Sequence, residues 1–394
     1  MFPTDVVIVA GARTAMARYT GVFSEVSAIE LGAHAAKGAV ARSGVDPSEF
    51  DHVVFGNVLQ TSADAIYGAR HVGLKAGLKV ETPAVTVNRL CGSGIEAIAQ
   101  AAQRLLLGEA NMVLAGGMEN MTQAPFVIRG ARTGLKLGTG ALEDFLFVGL
   151  TDSYCGLPMA VTAENLAAQT GITREDADKY ALRSQQAADA AAKAGVFKEE
   201  IVPVEVKQGK KSIVVTEDDH RRPETTLETL AKLPPSFQKD GVVTAGNASG
   251  IVDGAAAVVV TREKTAKERG LKPLGRIISW AAVGVDPSIM GIGPVPSTRK
   301  ALQFAGLKLE QIDRIEVNEA FAPQYLAVEK ELGLCRDKTN VNGGAIALGH
   351  PLAASGTRLV ITVLNELRRK GLKYGLATAC IGGGQGIAMI LEAA

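Results

Sequence analysis

The chain has 394 residues, 47% of them hydrophobic and 21% charged, with a formal net charge of +1. That length exceeds what one core ordinarily organises, so two or three domains are expected in a globular protein. The near-neutral charge gives no electrostatic case for nucleic acid or an anionic membrane, and no apolar run approaches the roughly 18 residues of a membrane span. Val6-Val7-Ile8-Val9-Ala10 predicts a first strand, so early that no signal peptide is expected ahead of it. From Ser43 to Phe55 the sequence reads as a helix ending at Gly44, a polar turn and a strand.

Cys91 lies in the run Val87-Asn88-Arg89-Leu90-Cys91-Gly92-Ser93-Gly94, just before a helix predicted over 94–107. That helix is apolar or alanine on nearly every face, as one sandwiched between layers would be. A thiol at a helix start is expected to favour the thiolate, and flanking glycines let backbone N–H groups approach a substrate. A hydrophobic strand then leads to Ala115-Gly116-Gly117.

From Glu119 to Gly246 the texture changes. Thr173-Arg174-Glu175-Asp176 resembles a capping box opening a long alanine-rich helix that Gly195 ends. A charged hairpin is expected over 204–216, followed by a polar stretch over 217–226.

Residues 305–317 then repeat the pattern of 43–55: glycine and aspartate stand seven positions apart in each copy (Gly44 and Asp51, Gly306 and Asp313). Downstream, Gly343-Gly344-Ala345-Ile346-Ala347-Leu348-Gly349-His350-Pro351 carries a histidine, with Pro351 suited to the first turn of a helix. The strand 375–379 is expected to end before Cys380-Ile381-Gly382-Gly383-Gly384-Gln385-Gly386. Strands separated by helices argue for an α/β architecture with buried sheets in two related halves. A thiol, a base and glycine-freed N–H donors suit nucleophilic acyl transfer. A second thiol adds a proton transfer, as carbon–carbon bond chemistry requires. The four cysteines lack CxxC spacing and do not cluster with the five histidines, which argues against a zinc site. Free thiols fit a reducing compartment, the bacterial cytosol or the mitochondrial matrix. Cys155 and Cys335 read as small hydrophobes.

These runs, with Gly246-Asn247-Ala248-Ser249-Gly250 and Asn318-Glu319-Ala320-Phe321-Ala322, resemble thiolases, in particular the degradative 3-ketoacyl-CoA thiolases of mitochondrial type. The match runs from the first strand to the C-terminus. It implies an α/β thiolase fold of five αβαβα layers in two duplicated halves, 1–118 with 247–272 and 273–394. Residues 119–246 would form an inserted loop domain that covers the site and binds coenzyme A. Cys91 would be the acylated nucleophile, and His350 its base and then a donor to the thioester oxygen. Cys380 would act as acid or base at the substrate α-carbon. The N–H groups of Cys91 and Gly382 would form one oxyanion hole, and Asn318, through a water and with His350, the other. For coenzyme A, a co-substrate rather than a tightly bound cofactor, the resemblance implies Arg222, Thr229, Phe237, Ala245, Ser249, Ala320 and Phe321. Arg221 has the same chemistry as Arg222, and the choice stays open. The implied partners are small acyl-CoA substrates and further copies of the chain, a homodimer at least and by extension a homotetramer. No metal, nucleic acid or membrane is implied.

Two departures from the family pattern stand out. Ala353 replaces a glycine in His350-Pro351-Leu352-Ala353-Ala354-Ser355-Gly356, which is harmless in an early helical turn but strained at positive φ. Pro158-Met159-Ala160 stands where the biosynthetic acetoacetyl-CoA enzymes read His-Met-Gly. The expected activity is thiolysis of 3-oxoacyl-CoA, C4 to medium length; the alternative is a short-chain acetoacetyl-CoA enzyme running as a Claisen condensation. A ketoacyl-carrier-protein synthase of the same fold would pair its cysteine with two histidines. A non-enzymatic lipid-binding relative would be expected to lose Cys91, His350 or Cys380.

Overall fold

A computed structural model of the chain describes residues 4–394. Strand β1 (Val6–Arg13) is buried along its whole length. Helix α1 (Ala28–Ser43) stops at Gly44, whose φ of 70° suits glycine. A turn capped by Asp46 leads into β2 (His52–Gly56). After β3 (Ala84–Val87) come α2 (Ser93–Leu107) and β4 (Met112–Glu119). The chain then leaves the sheet and returns as β5 (Val252–Arg262).

The second half repeats the first. Strand β6 (Gly275–Gly284) precedes α3 (Pro294–Ala305), which stops at Gly306 with φ 66°. A turn then enters β7 (Arg314–Val317). Helices α4 (Ala322–Leu332) and α5 (Leu352–Lys370) follow, then β8 (Tyr374–Ile381) and β9 (Gln385–Ala393). The expected helix–turn–strand repeat is therefore present in both halves. Ala115-Gly116-Gly117 and Cys380 lie inside β4 and β8, however, not after them. In each case neighbouring strands continue the ladder past the glycines or the thiol, so pairing overrides the local break signal.

The strand order is β3-β2-β4-β5-β1 in the first half and β7-β8-β9-β6 in the second. An isolated parallel bridge from Ile315 to Thr339 occupies the place that β3 holds in the first half. The two sets join where Val7 and Ile8 of β1 pair with Arg276 and Gly275 of β6. Within each half, two-residue periodicity sends successive strand residues into different apolar layers. Val113 and Ala115 pack inward with α2 and α5, beside Val258, Ala377 and Met389. Leu114 and Val259 pack outward with α1. Ile315, Leu376 and Ile390 pack outward with α3 and α4. Three apolar clusters thus hold the five layers together, the middle one packing both sheets onto the shared helix layer.

Helices α2 and α5 meet in the middle layer at glycines. A Cβ on Gly94 would lie 2.4 Å from the Thr357 nitrogen, and one on Gly356 would lie 2.6 Å from the Ile95 nitrogen. This close approach brings together the N-terminal ends of both helices, one preceded by Cys91 and the other by His350. Pro351 sits at the N-cap of α5 instead of within its first turn. Ala353 is buried in that first turn and absent from the positive-φ residues, so its methyl is unstrained.

The excursion between β4 and β5 contains the helices Phe145–Gly149, Met159–Thr170, Arg174–Lys193 and Leu227–Ala231 and the hairpin Val204–Gln208 with Lys211–Val215. The Thr173/Asp176 capping box opens the longest helix, and Gly195 follows its end at φ 76°. Buried Arg13 ties the excursion to β1, donating from Nε to Glu200 (2.8 Å) and from Nη1 to Asp218 (2.7 Å).

Candidate active site

Cys91 sits in the 3-10 turn Leu90–Gly92 that feeds α2. Leu90 holds φ 46°, and its N–H donates to Asn88 Oδ1 (2.9 Å). A non-glycine residue at that angle is strained, and the Asn88 side chain offsets part of the cost. Gly92 has no room for a side chain: a Cβ would come within 2.6 Å of Ile381 Cδ1. That contact sets the end of β8 against the Cys91 turn. The backbone N–H groups of Gly382 and of Cys91 itself lie near enough to the Cys91 sulfur to favour its thiolate.

The expected thiolate is not what the site favours at rest. Burial pushes the Cys91 thiol up to about 11, and the charge of Glu119 acts in the same direction against those two N–H donors. Desolvation outweighs the helix start. The buried Cys380 thiol is raised well above its usual value, first by burial and then by proximity to Cys91. Both sulfurs therefore rest as thiols near neutral pH.

His350 is buried, and its own N–H donates to the Gly250 carbonyl (2.9 Å). Burial, then the Arg358 charge, lowers its pKa to about 3, so the ring rests neutral. Ser355 Oγ donates to the Pro351 carbonyl (3.0 Å) and lies 2.5 Å from His350 Nδ1. With its own proton committed, Ser355 accepts from Nδ1–H, which leaves Nε2 unprotonated. Asn318 Nδ2 points at that Nε2 (3.3 Å), while the buried Asn318 Oδ1 makes no hydrogen bond within the protein.

The neighbouring Glu319 organises the walls. It accepts from Tyr180 (2.6 Å), Ser184 (2.7 Å), Asn340 (3.0 Å) and the Ile346 N–H (3.1 Å). The two asparagine motifs join directly, since the Ser249 N–H donates to Ala320 and the Ala322 N–H donates to Asn247.

A mainly apolar cavity of about 240 Å³ holds Cys91 and His350, with Phe237, Ser249, Ala320 and Phe321 of the expected coenzyme A set in its lining. Pro158, Met159, Met121, Phe147, Leu150 and Leu352 complete much of its wall. A second cavity of about 230 Å³ is lined by Arg222, Thr229 and Ala245, the remainder of that set. The two adjoin at Gly250, which lines the first, and His220, which lines the second. A Cβ on Gly250 would fall 2.1 Å from His220 Nε2. Arg222 faces this space, whereas Arg221 is drawn toward Asp189 (3.6 Å) and Glu217 (3.8 Å). Phe237 is 45% exposed, so core packing does not account for it. The Thr229 hydroxyl is already engaged in the cap at Thr226. Cys335, expected as a small core hydrophobe, is instead exposed, because it follows the end of α4 in a surface turn; Cys155 is half-buried.

Residues 6–264 match the family model "Thiolase, N-terminal domain" and residues 271–393 match "Thiolase, C-terminal domain". The chain belongs to the thiolase family. It is 55% identical over 388 residues to the mitochondrial 3-ketoacyl-CoA thiolase of Homo sapiens, covering 98% of each chain. It is 50% identical to the acetyl-CoA acetyltransferase of Pseudomonas aeruginosa, covering 98% of this chain and 99% of that one. The crystal structure of human mitochondrial 3-ketoacyl-CoA thiolase in complex with CoA matches it with a TM-score of 0.96 at 54% identity, over 99% of this chain and 98% of that one. Membership accounts for the duplicated halves and for the order of the glycine runs.

Glu119 is the residue of this thiolase site that the sequence concealed. It ends a hydrophobic strand, where a lone glutamate reads as a strand terminus, yet it is fully buried and near enough to Cys91 for its charge to act on that thiol. Among the described residues, no group of three His, Cys, Asp or Glu side chains is placed to hold a metal, and no helix is long and apolar enough to cross a membrane.

Proposed function

We propose that this thiolase is an acetyl-CoA C-acyltransferase that cleaves 3-oxoacyl-CoA with coenzyme A, giving acetyl-CoA and an acyl-CoA two carbons shorter. The observation that carries the reading is one apolar cavity lined by Cys91 and His350, with Cys380 close to Cys91 and Asn318 against His350, that adjoins a second, arginine-lined one. His350 Nε2 takes the Cys91 proton as the sulfur attacks the C3 carbonyl. The resulting oxyanion is held by the N–H groups of Cys91 and Gly382. When the C2–C3 bond breaks, the acetyl-CoA carbanion takes a proton from Cys380, leaving acyl-Cys91. The thiol of coenzyme A then gives its proton to the Cys380 thiolate and attacks the acyl-Cys91 carbonyl; the Cys91 sulfur leaves and takes back the proton held by His350, releasing the shortened acyl-CoA and restoring all three residues. His350 and a water on Asn318 hold the acetyl-CoA enolate oxygen, which gives the orphaned Asn318 Oδ1 a partner.

Coenzyme A would lie across both cavities, its phosphates beside Arg222 and its pantetheine arm past His220 toward Ser249. Residues 119–246 form the loop domain over that path, between the halves 1–118 with 247–272 and 273–394. The exposed apolar side chains Phe126, Leu137 and Leu142 and the open edge of β3 support a homodimer that extends to a tetramer. The free thiols and the mitochondrial and bacterial relatives support a reducing compartment, a bacterial cytosol or a mitochondrial matrix.

The relative named acetyl-CoA acetyltransferase keeps a second reading open, a C4-restricted enzyme running as a condensation. A chain-length series separates the two. With 3-oxoacyl-CoA substrates from C4 to C8, peptide masses should place the acyl group on Cys91. Each buried methylene contributes about 0.8 kcal/mol, so kcat/KM should rise several-fold across the series. Turnover confined to acetoacetyl-CoA would favour the second reading, and an acyl group on Cys380 would overturn the assignment of roles.

A further inference from the structure

Glu119 accepts four hydrogen bonds inside the fold. Its Oε1 receives Asn57 Nδ2 (3.0 Å) and the Leu59 N–H (2.9 Å). Its Oε2 receives the Val58 N–H (3.2 Å) and the Ala353 N–H (3.0 Å). The first three donors lie on the segment after β2, and its Val58 and Leu59 share an apolar cluster with Cys91. The Val58 carbonyl also accepts Asn88 Nδ2 (3.4 Å), and Asn88 supports the strained Leu90 beside the nucleophile. The fourth donor belongs to the first turn of α5, three residues after His350. One carboxylate therefore fastens the support of the nucleophile to the helix that carries the base.

We propose that Glu119 is a positioning residue that holds Cys91 and His350 in register, and that the clamp forms only while Glu119 is ionised. All four donors require an acceptor. A protonated carboxyl would turn one oxygen into a donor facing N–H groups, and a glutamine would do the same with its amide nitrogen. Burial raises the Glu119 pKa to about 7 against these hydrogen bonds, with Asp253 adding to the rise. The group thus titrates within the working range, ionised above about 7 and neutral below. The titratable groups facing it are Cys91 and Asp253. Cys91 (about 11) and His350 (about 3) do not change charge between pH 5.5 and 9, whereas Asp253 is itself raised to about 6.

The inference rests on Cys91 as the acyl acceptor, and the test separates the two claims. S-acetyl-N-acetylcysteamine is an uncharged thioester without the titrating phosphates of coenzyme A. The rate at which it acetylates Cys91 is followed by peptide mass from pH 5.5 to 9 on the intact protein. The native rate should fall as pH drops through about 7. Glu119→Gln should be about ten-fold slower at pH 8 and lack that limb. Asp253→Asn should move the limb to lower pH without removing it, because one neighbouring charge is gone. A native profile flat from pH 6 to 8 would overturn the clamp even if Glu119→Gln failed to fold. So would a limb that survives in Glu119→Gln or disappears in Asp253→Asn. Acetyl groups found away from Cys91 would instead overturn the assigned nucleophile.

Discussion

At the scale of single residues, the site stores its reactivity in neutral forms. A thiol near 11 facing a histidine near 3 will not exchange a proton at rest. In the proposed mechanism, transfer becomes favourable only when the attack creates an oxyanion for the N–H groups of Cys91 and Gly382 to hold. The two thiols should therefore separate in mutants. Cys380→Ser should keep partial acylation of Cys91 while losing most bond cleavage, since a serine hydroxyl fits the space but is a far weaker acid. His350→Ala should slow both steps. Rapid-quench measurement of acyl-Cys91 against steady-state turnover distinguishes them, and equal loss of both steps in Cys380→Ser would contradict its separate role. The sequence singled out Cys91, His350 and Cys380 because each sits among glycines whose close contacts the fold uses. The resting charge of Cys91 was not legible. Helix position argues for a thiolate, but the burial that decides the matter depends on residues distant in sequence, among them Leu59, Met121, Leu146 and Leu352. Glu119 itself carried no signal, because its four partners come from two segments distant from it in sequence, 57–59 and Ala353.

At the scale of elements, the site depends on how closely α5 approaches the first sheet. A Cβ on Gly117 of β4 would stand 2.0 Å from the Ala353 carbonyl oxygen, a backbone atom that cannot move without the first turn of α5. Gly117→Ala should therefore destabilise the fold by about 1–3 kcal/mol. Turnover should also fall, because His350 moves with that turn. Thermal melting together with steady-state kinetics checks this, and a variant with native melting and native rate would show that the turn tolerates displacement. The helix–turn–strand repeat was readable from Gly44 and Gly306, whose left-handed stops are local events. The ends of β4 and β8 were misread because Gly116, Gly117 and Cys380 are held in strands by pairing to β5 and β9, which no local signal reports.

At the scale of the whole molecule, the described surface leaves apolar side chains uncovered within one stretch of the excursion. Leu137 is fully exposed, Tyr154 is 89% exposed and Leu142 64%. The β3 edge offers unpaired backbone groups in addition. Light scattering should accordingly report a multiple of the 41.0 kDa chain at micromolar concentration, and Leu137→Asp with Leu142→Asp should lower the tetramer fraction. A native mass equal to one chain would contradict the assembly.

The shared middle layer also has a bearing on synthesis. β1 is made first, yet it pairs with β5, which ends at Arg262. The inner face of that sheet then stays only partly covered, by α2, until α5 is made, because Leu359, Val360 and Val363 complete its apolar cluster. A ribosome that has finished the first half thus carries a sheet whose inner face is covered by α2 alone, separated by about a hundred residues from the helix that completes the cover. Such an intermediate is prone to aggregation and suited to capture by a chaperone. The geometry that makes two halves share one active centre also leaves neither half a complete core while it waits for the other.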